Sequence, residues 1–263
     1  RRHTRSFHVT GVQTCALPIY YVHDDPEISD AEFDALMREL GALEAAHPEL
    51  VVPESPTQRV GGRPVEGFAT ATHAAPMLSL ENTYSADEVR EFHARLCRAL
   101  DVAEDAALDY VAELKIDGLS IALTYVDGRL VRGVTRGDGV TGEDVTPNVR
   151  VIRAIPLQLR EGAAPVPPTV EIRGEVYLPR DAFDRMNEER ELAGDAVFAN
   201  PRNAAAGAIR TLDTAAVARR GLRAFAYQVV TTAEAEASGA HHAMLEALAG
   251  WGLPVEPHWE IGR

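Results

Sequence analysis

The sequence predicts an α+β fold, and three observations carry that reading. Segments with the two-residue period of strands are mixed with segments of helical period, without a regular strand–helix–strand repeat. The clearest strands are neighbours joined by short turns, as in an antiparallel meander. No GxGxxG fingerprint opens the helix of a strand–helix–strand unit, which disfavours a doubly wound dinucleotide fold. The 263 residues suffice for one large domain or two smaller ones.

The elements follow in chain order. Residues 1–19 have neither period, and the run from Ser6 to Ile19 resembles translated sequencing-adapter read-through. It lacks the basic start and long apolar core of a signal peptide, so it is set apart as a non-native leader. From Tyr20 the pattern becomes regular. Ser29 with Glu32 three residues on forms a capping box, and Phe33, Leu36, Met37, Leu40 and Leu43 form a helical stripe ending near His47-Pro48. The turn-rich stretch from Pro53 to Pro64 follows, and a boundary near its end divides a helical domain over 20–66 from a larger domain over 67–263. Ser85 and Glu88 form a second capping box, opening a helix expected to turn Val89, Phe92, Leu96 and Leu100 inward. Strands are predicted at Val111–Ile116, Leu119–Tyr125, Leu130–Thr135 and Val170–Leu178, with Asp127-Gly128 as a two-residue hairpin turn. Helices are predicted at Arg180–Leu192 and Pro201–Ile209, the second capped by Asn200 with Pro201 in its first turn.

Composition excludes several function classes. Hydrophobic residues at 46% and charged residues at 25% are ordinary for a soluble globular chain. No apolar run approaches the roughly 18 residues that span a bilayer, so no membrane role is expected. Cys15 and Cys97 show neither paired metal spacing nor a disulfide framework, which fits a reducing cytoplasm. A net charge of −14 argues against a stand-alone nucleic-acid binder, because phosphate contacts need a basic surface.

Lys and Arg total 26, of which one, Lys115, is lysine. Arginine serves equally well for solvated charge, but a guanidinium is never deprotonated in practice, whereas a lysine amine can become a nucleophile. Lys115 stands in Val111-Ala112-Glu113-Leu114-Lys115-Ile116-Asp117-Gly118. In a strand Glu113, Lys115 and Asp117 share one face and Leu114 and Ile116 point into a core. Such a row also suits a solvated edge strand; the single lysine and the terminal glycine, which permits a tight turn, favour a site. Two more polar segments could complete it. Thr135-Arg136-Gly137-Asp138-Gly139-Val140-Thr141-Gly142-Glu143-Asp144-Val145 reads as a glycine-rich turn able to approach a phosphate, or as a flexible turn. On Glu171-Ile172-Arg173-Gly174-Glu175-Val176-Tyr177, alternation puts Glu171, Arg173, Glu175 and Tyr177 on one face, and Gly174 suggests a close backbone approach.

Lys115-Ile116-Asp117-Gly118 resembles the KxDG motif of nucleotidyltransferases. The segment from Pro26 to Asp34 resembles the small helical domain of NAD-dependent bacterial DNA ligases, and four further segments resemble the same family: Ser55–Gly62 (SPTQRVGG), Pro76–Asn82 (PMLSLEN), Thr135–Gly139 (TRGDG) and Phe198–Gly207 (FANPRNAAAG). The resemblance implies an ATP-grasp-like, antiparallel-sheet adenylation domain behind a helical domain that binds nicotinamide mononucleotide. It implies that Lys115 attacks NAD, with Asp117 as its catalytic neighbour, and that AMP then passes to the 5′-phosphate of nicked DNA before the nick is sealed. NAD and Mg²⁺ are the implied cofactors and nicked duplex DNA the implied partner. Glu113 should read the adenine, Arg136 contact ribose or phosphate, Glu175 hold ribose or metal, and Ser79 and Leu80 line the nucleotide site. Arg202 and Arg210 match arginines that handle nicotinamide or nick phosphate. Tyr20, Tyr21, Asp30, Phe33 and Asp34 match the nicotinamide-binding positions, with Phe33 in place of the family's usual tyrosine. No metal-ligating set is assigned within the chain.

The family's two further phosphate-contacting lysines, its OB-fold, four-cysteine zinc module, helix-hairpin-helix region and BRCT domain are not among these residues. The fragment is therefore expected to be a monomer that binds DNA weakly, does not seal nicks and self-adenylates poorly. A catalytically incompetent NAD-binding fragment and an ATP- or GTP-using nucleotidyltransferase are the alternative readings, and the nicotinamide-type segment over residues 20–50 argues against the second.

Overall fold

The computed structural model describes residues 30–50, 67–230 and 240–262. In chain order they form α1 (Asp30–Ala46), a 3-10 turn (Pro48–Leu50), β1 (Thr70–Thr72), α2 (Ala86–Leu100), β2 (Tyr110–Ala112), β3 (Leu119–Val126), β4 (Arg129–Thr135), β5 (Thr141–Glu143), α3 (Thr146–Arg150), β6 (Thr169–Tyr177), α4 (Arg180–Ala193), α5 (Pro201–Ile209), α6 (Thr214–Arg219), β7 (Arg223–Val230), α7 (His241–Gly250) and β8 (Glu260–Gly262). Every strand pairing among them is antiparallel, so the α+β class with antiparallel sheet holds. Two compact units result. One takes in the described residues up to Met77 with Ile116–Val255, the other Leu78–Lys115 with Glu256–Arg263. Ser29, the stretch from Pro53 to Pro64 and the boundary expected near residue 66 lie outside the described residues.

The first unit is built on a four-stranded sheet of order β4-β3-β6-β7. Its β3–β4 hairpin turns where expected: Asp127 and Gly128 take φ of 47° and 71°, the doubly positive turn whose twist matches the strands. β6 lies between β3 and β7, and its register sorts the residues into two faces. Val170, Ile172 and Val176 oppose Tyr125, Leu123 and Leu119 and bury in the core, while Glu171, Arg173 and Glu175 oppose Thr124, Ala122 and Ser120 on the other side. Helices close the core side with Ala182 and Met186 of α4, Ala204, Ala205, Ala208 and Ile209 of α5, Val217 of α6 and Leu248 of α7. Burial of such apolar area is the main stabilising contribution.

The alanines of α5 present no bulk where that helix meets β3 and β6. Both its ends are closed: the Asn200 side chain accepts from the Asn203 amide at 2.8 Å, and the buried Asn148 side-chain amide donates to the carbonyls of Ile209 and Thr211 at 2.5 and 2.8 Å. Those are terminal carbonyls that no helical N–H can reach. Gly118 and Gly174 are required by proximity. A Cβ on Gly118 would overlap the Val176 carbonyl, and one on Gly174 would press on the Phe225 carbonyl. For Gly174 this is the close approach expected. For Gly118 it is a correction, since its φ is not positive and the glycine serves packing against β6, not a tight turn.

The second unit pairs β2 with β8, from Tyr110↔Gly262 to Ala112↔Glu260. Its helix α2 opens at the expected box. The Ser85 hydroxyl accepts from the Glu88 amide at 3.2 Å, while the Glu88 carboxylate reaches one residue further back and accepts from Tyr84 N at 2.6 Å. The inward stripe needs correction. Val89, Phe92 and Leu100 are exposed and Leu96 is half-buried, whereas Cys97 is fully buried. The inward side of α2 is the side of His93 and Cys97, because the His93 ring ties the helix to Tyr110 Oη at 2.6 Å and to the Glu104 carbonyl at 2.9 Å. Two three-residue strands offer too little surface to bury a whole stripe as well. The strand expected over Val111–Ile116 also stops early. Its partner runs out at Ala112, so residues 113–117 have no ladder, Leu114 is 57% exposed and Ile116 is half-buried.

A glycine pair tests this packing. A Cβ at Gly142 on β5 would overlap the Thr135 carbonyl, whereas one at Gly41 within α1 meets nothing within 4 Å. Gly142→Ala is expected to cost about 1–3 kcal/mol and lower the melting temperature by roughly 3–10 °C. Gly41→Ala should leave it unchanged or slightly raised, with more helical circular dichroism.

Candidate functional site

The polar face of the sheet collects its groups where β3, β6 and β7 run side by side. Ser120 on β3 stands opposite Glu175 on β6, and its hydroxyl donates to Glu175 Oε2 at 2.8 Å. Tyr227 joins them through an irregularity. Gly174 pairs with Ala226 and Arg173 with Gln228, so Tyr227 is an extra residue in β7. A bulge of this kind re-aims a side chain. Burial pushes the Tyr227 phenol's pKa up and the Glu175 charge adds to it, while a hydrogen bond with Ser120 and the charges of Arg173 and Arg136 pull partly back. Arg136 and Glu175, two of the residues singled out from the sequence, therefore act on one phenol.

Arg136 begins the glycine turn. Its N–H donates to the Ser120 carbonyl at 3.2 Å, and its own carbonyl accepts from Gly139 N at 3.0 Å. Gly137 and Gly139 have φ of 58° and 92°, a region that L side chains rarely enter. Asp138 fastens the far side, accepting from Val140 N at 2.9 Å and Thr141 N at 2.7 Å. Partial burial works to raise the Asp138 carboxyl pKa, but the hydrogen bonds from Thr141 and Val140 outweigh it and hold it below the usual range.

Beside the turn, Arg173 is only 6% exposed and Glu171 only 7%. A solvated strand is thereby excluded for these two. The Arg173 guanidinium donates to Glu171 Oε1 at 3.2–3.3 Å, to the Pro76 carbonyl at 3.0 Å and to the Ala75 carbonyl at 2.6 Å. It thus clamps the backbone that leads into Met77, whose N–H donates to the Gly139 carbonyl at 2.8 Å.

The remaining candidates are distributed as follows. Asp117 faces Arg202 at 3.5 Å, a partly exposed pair of the kind worth about 0–1 kcal/mol. Arg210, at the end of α5, donates through Nε to Glu143 at 2.9 Å, and that carboxylate is 1% exposed. Ser79, Leu80, Glu113 and Lys115 belong to the second unit and are exposed. The expected shared face of Glu113, Lys115 and Asp117 is not formed, because residues 113–117 carry no strand whose alternation could align them. Asp30, Phe33 and Asp34 occupy α1 at a spacing that puts the three positions on one helix side. Tyr20 and Tyr21 lie outside the described residues. Among the described residues no three His, Cys, Asp or Glu side chains gather as a metal cage, and no helix is long and apolar enough to cross a membrane.

Two family models match consecutive parts of the chain. Residues 65–262 match the NAD-dependent DNA ligase adenylation domain, and residues 16–61 match the DNA ligase-like, N-terminal NAD+-binding domain. The chain belongs to the NAD-dependent DNA ligase family. Proteins named DNA ligase are correspondingly similar. That of Desulforudis audaxviator is 55% identical over 242 residues, covering 92% of this chain and 35% of the relative. That of Thermotoga maritima is 54% identical over 239 residues, covering 91% and 33%. That of Acidobacterium capsulatum is 52% identical over 243 residues, covering 91% and 36%. The chain thus spans about a third of the length of the curated ligases it matches.

Within this ligase-family chain, several buried or half-buried polar residues escaped the sequence reading. Ser120 left a signal, a hydroxyl that shares its strand face with Ala122 and Thr124. Tyr227 left none, because a bulge is a property of pairing. Glu143 sat inside the quoted glycine-rich stretch, but nothing local foretells that its carboxylate is buried against Arg210.

The Asp138 carboxylate makes the turn acid-sensitive. Because its folded pKa is depressed, its contribution is present above the unfolded value of about 3.9 and is lost as pH falls through the lower folded one. The protection of the Val140 and Thr141 amides, measured against the intrinsic exchange rate at the same pH, should therefore fall below about pH 4. In Asp138→Asn the lower protection should already be present at neutral pH, without that acid-dependent step.

Proposed function

We propose that this chain is the adenylation region of an NAD-dependent DNA ligase, with an ATP-grasp-like nucleotidyltransferase fold over residues 67–263 and a nicotinamide-binding helical domain over residues 20–66. The observation that carries the proposal is the single lysine of the sequence, Lys115, standing in KIDG inside the span that matches the adenylation domain. NAD is the substrate. The Lys115 amine attacks its α-phosphate, an N–P bond forms, the bond to the nicotinamide mononucleotide phosphate breaks, and the amine proton is released to solvent. AMP is then passed from the lysine to the 5′-phosphate of a DNA nick, and the adjacent 3′-hydroxyl displaces it.

The residue types suit these tasks. Arg136 supplies a fixed positive charge for ribose or phosphate at a turn whose backbone amides are already ordered. Glu175 accepts from a ribose hydroxyl, as it accepts from Ser120 here. Asp117 assists Lys115, Glu113 reads the adenine edge, and Ser79 and Leu80 line the nucleotide. Arg202 and Arg210 take phosphate, and positions 20, 21, 30, 33 and 34 take the nicotinamide half. Glu175 is the carboxylate that would share a Mg²⁺ held mainly by substrate phosphate and water. When bound it would supply charge neutralisation at the reacting phosphate. In the full-length ligase nicked duplex DNA is the partner. The acidic fragment grips DNA weakly, works as a monomer and belongs to the cytoplasm.

A second reading keeps NAD binding without transfer. Intact-mass measurement after incubation with NAD and Mg²⁺ separates the two. Transfer adds one AMP to the chain, and Lys115→Arg, which has no amine able to form the phosphoramidate, should add none. An adenylated Lys115→Arg protein would overturn the assignment of the nucleophile.

A further inference from the structure

We infer that His73 is a positioning residue for Arg136, an inference that rests on the proposed role of Arg136 as a nucleotide contact. His73 directly follows β1, whose Thr72 pairs with Thr141 of β5. The chain therefore continues alongside the glycine turn, and His73 touches that turn at both ends. Its backbone N–H donates to the Val140 carbonyl at 2.9 Å. Its ring Nε2 lies 3.0 Å from the Arg136 carbonyl. A carbonyl can only accept, so Nε2 carries the hydrogen and donates. The Arg136 carbonyl thereby uses both lone pairs, one on Gly139 N within the turn and one on His73.

The arrangement is internal to the protein. His73 is 9% exposed, and the segment that carries it is held from the other side by Arg173, which takes the carbonyls of Ala75 and Pro76. The turn needs this support. Gly137 and Gly139 both occupy left-handed backbone and bring almost no side-chain packing, so the carbonyl and amide groups of the turn carry its rigidity. A turn free to rotate its Arg136 peptide would present the guanidinium in several directions and lose preorganisation at the ligand. His73 does not need to touch nucleotide for this. It fixes the peptide from which Arg136 projects.

The chemistry of the side chain makes the test selective. A glutamine amide nitrogen reaches the place of Nε2, whereas an asparagine amide nitrogen reaches only the place of Nδ1. The backbone bond to Val140 survives every substitution. Hydrogen exchange of the peptide covering Arg136–Thr141 and calorimetric affinity for NAD would be measured on the full 263-residue chain as wild type, His73→Ala, His73→Asn, His73→Gln and Arg136→Ala. His73→Ala and His73→Asn should speed exchange in the turn and weaken NAD binding about three- to tenfold, the worth of one hydrogen bond. His73→Gln should stay within about twofold of wild type by the same measure. Should His73→Ala fail to fold, the Asn and Gln pair carries the comparison alone. Unaltered exchange in the turn, or equal damage from Gln and Asn, would overturn the hydrogen-bond role. A loosened turn with NAD affinity unchanged in both the His73 variants and Arg136→Ala would instead overturn the reading of Arg136. A loosened turn with only Arg136→Ala impaired would overturn positioning alone.

Discussion

Arg173 is buried on an inner strand of the sheet, and a buried guanidinium must find acceptors for its N–H groups. Glu171, two residues earlier on the same face, supplies the counter-charge; the carbonyls of Ala75 and Pro76 supply the rest. Stripping one partner from such a site costs about 3–5 kcal/mol, so the segment around residue 75 is held to β6 as firmly as a packed side chain. From that one requirement the neighbouring geometry follows. Met77 and His73 reach the glycine turn, the turn fixes Arg136, and Arg136 lies within electrostatic reach of Tyr227 beside Glu175.

The two faces of β6 divide the labour between stability and chemistry. Apolar residues at alternate positions lock the strand into a core shared with α4, α5 and β3. The other positions form a polar face whose charges are already paired or hydrogen-bonded, and so cost little to keep in place. Fixed cations on that face are arginines without exception, since the sequence spends lysine only once. A guanidinium cannot be deprotonated into a competing nucleophile, so on the proposed function phosphate contact and covalent attack fall to different residue types.

Much of this was legible in the sequence where local pattern and final structure depend on the same contacts. The β3–β4 hairpin announced itself through Asp127-Gly128, α5 through Asn200-Pro201, and β6 through strict alternation. The short β1, β5 and β8, the helices α3, α6 and α7, and β7 were not read. They are short, or, like Ala224 and Ala226 in β7, use small residues whose burial depends on partners distant in sequence. The row of Glu113, Lys115 and Asp117 looked like a strand because alternation is necessary for one, but without a partner ladder it is not sufficient. The candidate site residues stood out as types within motifs. Their pairings, such as Glu143 with Arg210 or His73 with the Arg136 peptide, join residues more than 60 positions apart and leave no local trace.

The central claim is that Lys115 takes AMP from NAD in particular. Its most direct measurement is peptide mapping of the protein after parallel incubation with adenylate-labelled NAD and adenylate-labelled ATP, each with Mg²⁺. The account predicts label from NAD alone, on the peptide that contains Lys115. Equal labelling from ATP, or label confined to any other peptide, would contradict it.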